Sequence, residues 1–321
     1  MTIDLLTSDE QDEIIASVRS FLTEEPSLRT RQRWIQCAEL GWFGLGLPES
    51  LGGVGYGLAE EALLMREVGR QLASGPVLAS IIGARAAALA GDQALAQSIL
   101  GGNTTVAMSI PIGGVQRLVF DGDIADALLA LDDHSASIFD MSQLTERASL
   151  GCIDETTTLT EGVVTGAPRC TATGTDLWSR ALVLAAGALV GMSEQGRDLS
   201  VAHAGNRVQF GHPIGVNQAI KHPCADMATR CEGALAQLCF AALSVGSEEA
   251  NARFEALSAL VFATETAIYC GRTTVQIHGG MGFTVEHPAH LIVKRTHVID
   301  RMFGGLRSHL ASLVALPSPD R

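Results

Sequence analysis

The chain has no surplus of positive charge: its 22 Lys and Arg residues face 35 Asp and Glu, for a net charge of −13. A protein that tracks a phosphate backbone carries the opposite balance, so a nucleic-acid role is excluded. It also lacks an uninterrupted apolar run of about 18 residues, the minimum for crossing a bilayer. The nearest approach is ALVLAAGALVGM (Ala181–Met192), which Arg180 and Glu194 close off. The 7 cysteines include no CxxC pair. Cys224, Cys231 and Cys239 recur at near-helical spacing and predict a shared buried helix face rather than a metal site. An odd cysteine count suits a reducing compartment. The N-terminus, MTIDLLTSDEQDE, is acidic from the start, which predicts a mature cytoplasmic protein without a signal peptide. Internal repeats and low-complexity linkers are missing too.

What is present is apolar and helix-prone: 47% hydrophobic residues and 18% charged ones, in 321 residues. SDEQDEIIASVRSFL (Ser8–Leu22) opens on Ser, places acids in its first turn and repeats apolar residues at helical spacing. A second helix ends near Gly41, a Gly-dense loop follows (Leu40–Gly57), then another helix, then an Ala-rich helix to about Leu100. TTVAMSIP, RLVFDG, DALLALDD, SASIFD and TTTLTEGVVTG are short alternating or β-branched runs. Beyond Asp176 long apolar-periodic segments return. The expectation is an α+β chain, mostly α, in three parts. These are an N-terminal helical domain (1–100), a reduced β-domain (101–171) and a C-terminal helical bundle (172–321).

Two breaks between helices carry most of the polar signal. In NRVQFGHPIGVNQAIKHPCADM (Asn206–Met227), Arg207 and Gln209 end one helix, Phe-Gly-x-Pro-Ile-Gly turns the chain, and Gln218 and His222 open the next. An Arg beside free amides at a helix N-terminus is able to meet a phosphate; a turn with a solvated Arg is the other reading. In QIHGGMGFTVEHPAHLIVKR (Gln276–Arg295), Gln276 offers a carboxamide, and the amides around Gly279 and Gly280 suit an anion or a ribose, or merely a turn.

Together with LGWFGLGLPESLGGVGYG (Leu40–Gly57), these two motifs follow the order and spacing of the acyl-CoA dehydrogenase family, which the chain resembles over nearly its whole length. The resemblance implies an N-terminal helical domain, a middle β-barrel and a C-terminal four-helix bundle that also forms the oligomer interface. It implies FAD as cofactor and α,β-desaturation of an acyl-CoA thioester. By the same resemblance Arg207 pairs with the FAD pyrophosphate, and Gln209, Phe210 and Gln218 belong to the cofactor site. Gln276, Gly279 and Gly280 line the nucleotide, which is seated mainly in a neighbouring subunit.

The resemblance stops at the chemistry. Desaturation needs a carboxylate to take the α-proton while the flavin accepts the β-hydride. Relatives keep that carboxylate at one of two places, which here are Phe303, before Gly304, and Ala181, on the first C-terminal helix. Neither side chain accepts a proton, so no catalytic residue is assigned. The Arg that often follows the second place is Leu182, and Arg180 lies on another helix face. The family's Thr/Ser-Glu-Pro-x-x-Gly-Ser-Asp segment is replaced by SIPIGGVQRLVF (Ser109–Phe120). Glu286 suits a capping role; Asp300, one turn before Phe303, is the remaining carboxylate that could reach inward. His278, His287 and His290 lack metal-ligand company and read as solvated or core histidines.

Three readings follow. The chain is the base-less subunit of a mixed acyl-CoA dehydrogenase, completed by a catalytic partner subunit and resembling the short subunits of actinobacterial heterotetramers that act on steroid side-chain CoA thioesters. Or it is a self-sufficient homo-oligomeric enzyme with an atypical base, or a non-enzymatic scaffold. The retained Arg207 and Gln276–Gly280 motifs and the missing base positions favour the first. It implies electron-transfer flavoprotein as the acceptor.

Overall fold

The computed structural model describes residues 7–173 and 176–316. The chain forms two compact units: residues 1–23, 62–72 and 183–321, and residues 24–61 and 73–182.

The first unit begins with α1 (Asp9–Glu24), whose start is fixed by a reciprocal cap. Gln11 N–H donates to Ser8 Oγ at 3.2 Å, and Ser8 N–H donates to Gln11 Oε1 at 3.1 Å. Most of α3 (Leu58–Arg70) and α6 (Leu177–Asn206) belongs here and packs nearly backbone to backbone. A Cβ at Gly191 would stand 1.8 Å from Arg66 O, so only glycine permits this approach. Beside that contact Arg66 grips the buried Glu194 at 2.7 and 2.9 Å, and Arg19 holds the buried Glu67 at 3.0 Å. The apolar stretch Ala181–Met192 is therefore a core helix, with its bracketing charges paired. Then come α7 (Gln218–Gly246), α8 (Ala252–His278), α9 (Ala289–Met302) and α10 (Leu306–Ala315). Cys231 is buried, its Sγ 4.0 Å from Cys270 Sγ, while Cys224 and Cys239 are half-buried on the same helix, α7.

The second unit holds α2 (Arg31–Glu39), α4 (Val77–Leu89), α5 (Gln93–Leu100) and the strands β1 (Val106–Gly113), β2 (Gln116–Phe120), β3 (Ala127–Leu131), β4 (Ser135–Asp140), β5 (Leu144–Leu150), β6 (Leu159–Val164) and β7 (Cys170–Thr173). The single Ala-rich helix expected to Leu100 is two: Gly91 adopts φ +81°, and Asp92 restarts the chain by accepting from Leu95 N–H at 2.9 Å. The strands make one mixed sheet in the order β5-β6-β2-β1-β3-β4-β7, with β1 and β3 parallel. Ala107, Val119, Leu128, Phe139 and Leu144 form its core. The barrel that the resemblance implies is here a sheet with two edge strands, β5 and β7. A buried ion cluster pins the Gly-rich loop: Glu61 accepts from Gly46 N–H at 3.1 Å and from Arg180 at 3.0 Å, while Arg85 donates to Gly46 O. One carboxylate faces two guanidiniums, and burial followed by the charge of Arg180 lowers Arg85 to about 10. Among the described residues, no helix is long and apolar enough to cross a membrane.

Candidate functional site

Both polar breaks lie in the first unit, at the ends of its long helices. After α6, β8 (Val208–Gln209) pairs with β9 (His212–Pro213) as a two-residue hairpin. Phe210 at φ +53° and Gly211 at φ +84° turn it, both in the left-handed region that such a turn requires. Arg207 N–H still donates to His203 O at 2.8 Å, and Arg207 O accepts from Ile214 N–H at 2.8 Å, so the hairpin is tied to the helix it follows. Arg207, Gln209 and Gln218 are exposed, and Phe210 is 96% exposed. Burying a ring of that size is worth roughly 2–3 kcal/mol, so a free solution surface gains nothing from presenting it. Gln218 is the first residue of α7.

The second break follows α8. Gly279 takes φ +61°, a conformation that disfavours side chains, and a Cβ at Gly279 or Gly280 would meet nothing within 4 Å. The open side of this loop is therefore bare backbone, flanked by the exposed Phe283 and Val285. Gln276 opens onto a groove of about 990 Å³ along α7, α8 and α10, lined also by Arg230, Arg272, Glu265 and Tyr269. The Arg230 guanidinium lies 4.4 Å above the Tyr269 ring. The structure thus sets each of the seven sequence-predicted cofactor residues on the exposed surface of one unit, in two clusters. As a seat for the anionic nucleotide end of FAD they fit: bare amides, a guanidinium and a carboxamide, with no side chain in the way.

The two positions at which the resemblance puts a base look different. Ala181 is fully buried, Leu182 likewise, and Phe303 is 4% exposed at the C-terminal cap of α9. Residues 109–120, which the resemblance sets against the family's Thr/Ser-Glu-Pro-x-x-Gly-Ser-Asp segment, lie in β1 and β2, which close in a tight hairpin with Gly113 opposite Gln116. Asp300 has its Oδ1 4.0 Å from Nε2 of the buried His309 on α10. Burial holds His309 below the ordinary imidazole range, against the opposing pull of Asp300. Glu286 is exposed; bonds from its own amide and from Thr284 lower its carboxyl, which fits a local capping role.

The sequence reading missed how the histidines meet. The His203 and His278 rings lie 4.4 Å apart, and those of His278 and His287 lie 4.2 Å apart. His203 and His278 stand 75 positions apart, so only the fold reveals the pairing; His203 at one turn before Arg207 was the available signal. Burial, then His278 and Arg207, lower His203; burial, then His278, His203 and His290, lower His287. Among the described residues, no group of three or more His, Cys, Asp or Glu side chains is disposed to hold a metal.

Residues 8–105 match the acyl-CoA dehydrogenase N-terminal domain, and residues 173–315 match the acyl-CoA dehydrogenase C-terminal domain. The chain is similar to the acyl-CoA dehydrogenase IpdE2 of Mycolicibacterium smegmatis, at 30% identity over 303 residues, covering 94% of this chain and 91% of that protein. It is 32% identical over 288 residues to IpdE2 of Mycobacterium tuberculosis, covering 88% and 85%. In fold it is similar to the ChsE4–ChsE5 complex from Mycobacterium tuberculosis, with a TM-score of 0.84 at 22% identity, over 98% of this chain and 100% of that one. The Tcur3481–Tcur3483 steroid acyl-CoA dehydrogenase gives 0.83 at 21%, over 95% and 97%. The chain belongs to the acyl-CoA dehydrogenase family, FAD-binding oxidoreductases that act on a CH–CH bond of an acyl-CoA.

Proposed function

We propose that this chain is the base-less subunit of a mixed acyl-CoA dehydrogenase. It lends two turns to the nucleotide end of FAD, and a catalytic partner subunit supplies the carboxylate and most of the flavin site. The observation that carries this reading is the contrast between exposed polar turns, open at Gly279 and Gly280, and two positions expected to hold a base that are filled by buried Ala181 and Phe303. Arg207 would meet the pyrophosphate through charge-assisted hydrogen bonds. Gln209, Phe210 and Gln218 on one turn, and Gln276, Gly279 and Gly280 on the other, would line the adenosine side. When bound, FAD supplies the hydride acceptor for α,β-desaturation. This chain's own residues hold and orient; none of them moves a proton. On this reading residues 1–100, 101–171 and 172–321 serve as the helical, reduced β and bundle domains of the family.

The exposed Phe210, Phe283 and Val285 support a covering partner. So does the likeness to the ChsE4–ChsE5 complex, and the steroid enzyme among the similar folds makes a steroid side-chain CoA thioester our proposed substrate, with electron-transfer flavoprotein as acceptor. A cytoplasmic location accords with seven free cysteines. The test is purification of the chain alone and after co-expression with a full-length acyl-CoA dehydrogenase chain of its own organism. Alone it should be colourless and inactive on acyl-CoA; in the complex both flavin and activity should appear. A yellow, active homo-oligomer from this chain alone would overturn the proposal.

A further inference from the structure

The three stacked imidazoles connect the two turns. His203 sits on the last turn of α6, where its carbonyl accepts from Arg207 N–H at 2.8 Å. His278 is the last residue of α8, directly before Gly279, and is 7% exposed. His287 lies just beyond the glycine loop. The rings are tilted by 33° and 44° along the stack, so they overlap rather than converge on a point.

Hydrogen bonds fix which nitrogens carry protons. His278 Nδ1 lies 2.7 Å from Thr274 O, an acceptor, so Nδ1 is the protonated nitrogen. His287 Nδ1 accepts from Ala289 N–H at 3.2 Å, so it carries no proton. Protonating His287 would put a hydrogen where that backbone bond now lies and free the first turn of α9. The groups acting on His203 and His287 are Arg207 from the hairpin, His278 from α8, His290 from α9, and His203 itself on His287. Each of these is cationic or becomes so on protonation. Charge on one ring therefore repels its neighbours at about 4 Å instead of finding a counter-ion.

We infer that His203, His278 and His287 are positioning residues: a stack that holds the Arg207 hairpin and the Gly279–Gly280 loop in one register, and that parts when His203 and His287 gain charge. The inference rests on the reading that these turns hold the nucleotide end of FAD. Its sign is fixed. The ordered turns disfavour charge on His203 and His287, so order is fully present above the ordinary imidazole range near 6.5 and is lost as pH falls below it.

The test uses the full chain and the co-expressed complex. Hydrogen exchange, corrected for the intrinsic rate at each pH, is followed for residues 207–216 and 279–284 of the full chain between pH 8 and 5.5. Protection in both segments should fall together by about tenfold, while Val183–Met192 stays protected. FAD affinity of the complex, read by flavin fluorescence, should fall over the same range. His203→Phe keeps a ring in the stack and cannot titrate, so the hairpin's loss of protection should shrink or vanish in that variant. Unchanged protection across the range, or a parent-like response in His203→Phe, overturns the inference. So does an affinity that rises on acidification, which would make the imidazolium rings phosphate donors. Turns that open together in a complex binding no FAD at any pH would uphold the stack and remove the cofactor reading instead.

Discussion

Two sets of positions on this chain have been treated oppositely. The set proposed to face the nucleotide, Arg207 to Gln218 and Gln276 to Gly280, is polar, glycine-rich and turned outward, and an exposed Phe210 costs it the burial of a large ring. The set at which the resemblance puts the base, Ala181 and Phe303, is apolar and buried. Drift toward an inert scaffold erodes both sets, since glycines at positive φ and solvated arginines are of no use to a core. Loss confined to the base set is what a division of labour between subunits produces. On the proposed reading the two halves of the site are separable in sequence, because one is built from backbone turns and the other from a single side chain.

The largest effect should come from forcing the base set back. Phe303→Glu places a carboxylate at a 4% exposed position. Loss of the ring together with burial of an unpaired acid should cost about 3–5 kcal/mol. Urea unfolding of the full chain would read it, with Phe303→Leu as the control expected to lose much less. If the Phe303→Glu variant proved as stable as the parent, the position would open onto a usable site, and the contrast drawn above would not hold.

How much of this was legible in the residues follows from the same difference. The helices were readable where caps and periodicity agree, as at Ser8 and Gln11, and the two turns were readable because glycine and a fixed Arg leave few alternatives. The edge strand β5 went unseen since LTERASL is exposed after its first residue and so has no alternation to detect. Likewise β7 has four residues and one buried side chain. The split between α4 and α5 hung on Gly91 and Asp92, a stop signal that the surrounding alanines obscured. Of the proposed site, the cofactor residues rest on motif resemblance and the absent base on counting from those motifs. The His203–His278–His287 stack was beyond reach, because its members come from three elements and no local pattern links them.

A smaller effect probes the nucleotide set. Arg207→Ala removes an exposed guanidinium from a hairpin whose backbone bonds to His203 and Ile214 do not involve the side chain. Folding should be unaffected. If the guanidinium meets pyrophosphate, its charge-assisted hydrogen bonds contribute about 1.5–3 kcal/mol, and flavin retention in the complex should weaken roughly tenfold to hundredfold. Unchanged flavin affinity in a folded variant would leave the hairpin a purely structural turn and would narrow the cofactor surface to Gln276 and the glycine loop.

The smallest effect is the one that separates a subunit without a base from one with an unusual base. Asp300 is the carboxylate nearest in sequence to the family's position at Phe303, and its side chain is only 17% exposed. Its Oδ1 lies 4.0 Å from Nε2 of His309 on α10. Asp300→Asn keeps the size and polarity of the side chain and removes its ability to take a proton. A general base contributes roughly 10²–10⁴-fold, so single-turnover flavin reduction in the reconstituted complex would expose its loss above any assay scatter. We expect a change within a few-fold, with flavin content unchanged, because the position at which the resemblance puts the base is a buried phenyl ring. A fall of a hundredfold or more at full flavin loading would place the base in this chain, and the partner subunit would no longer be needed to supply it.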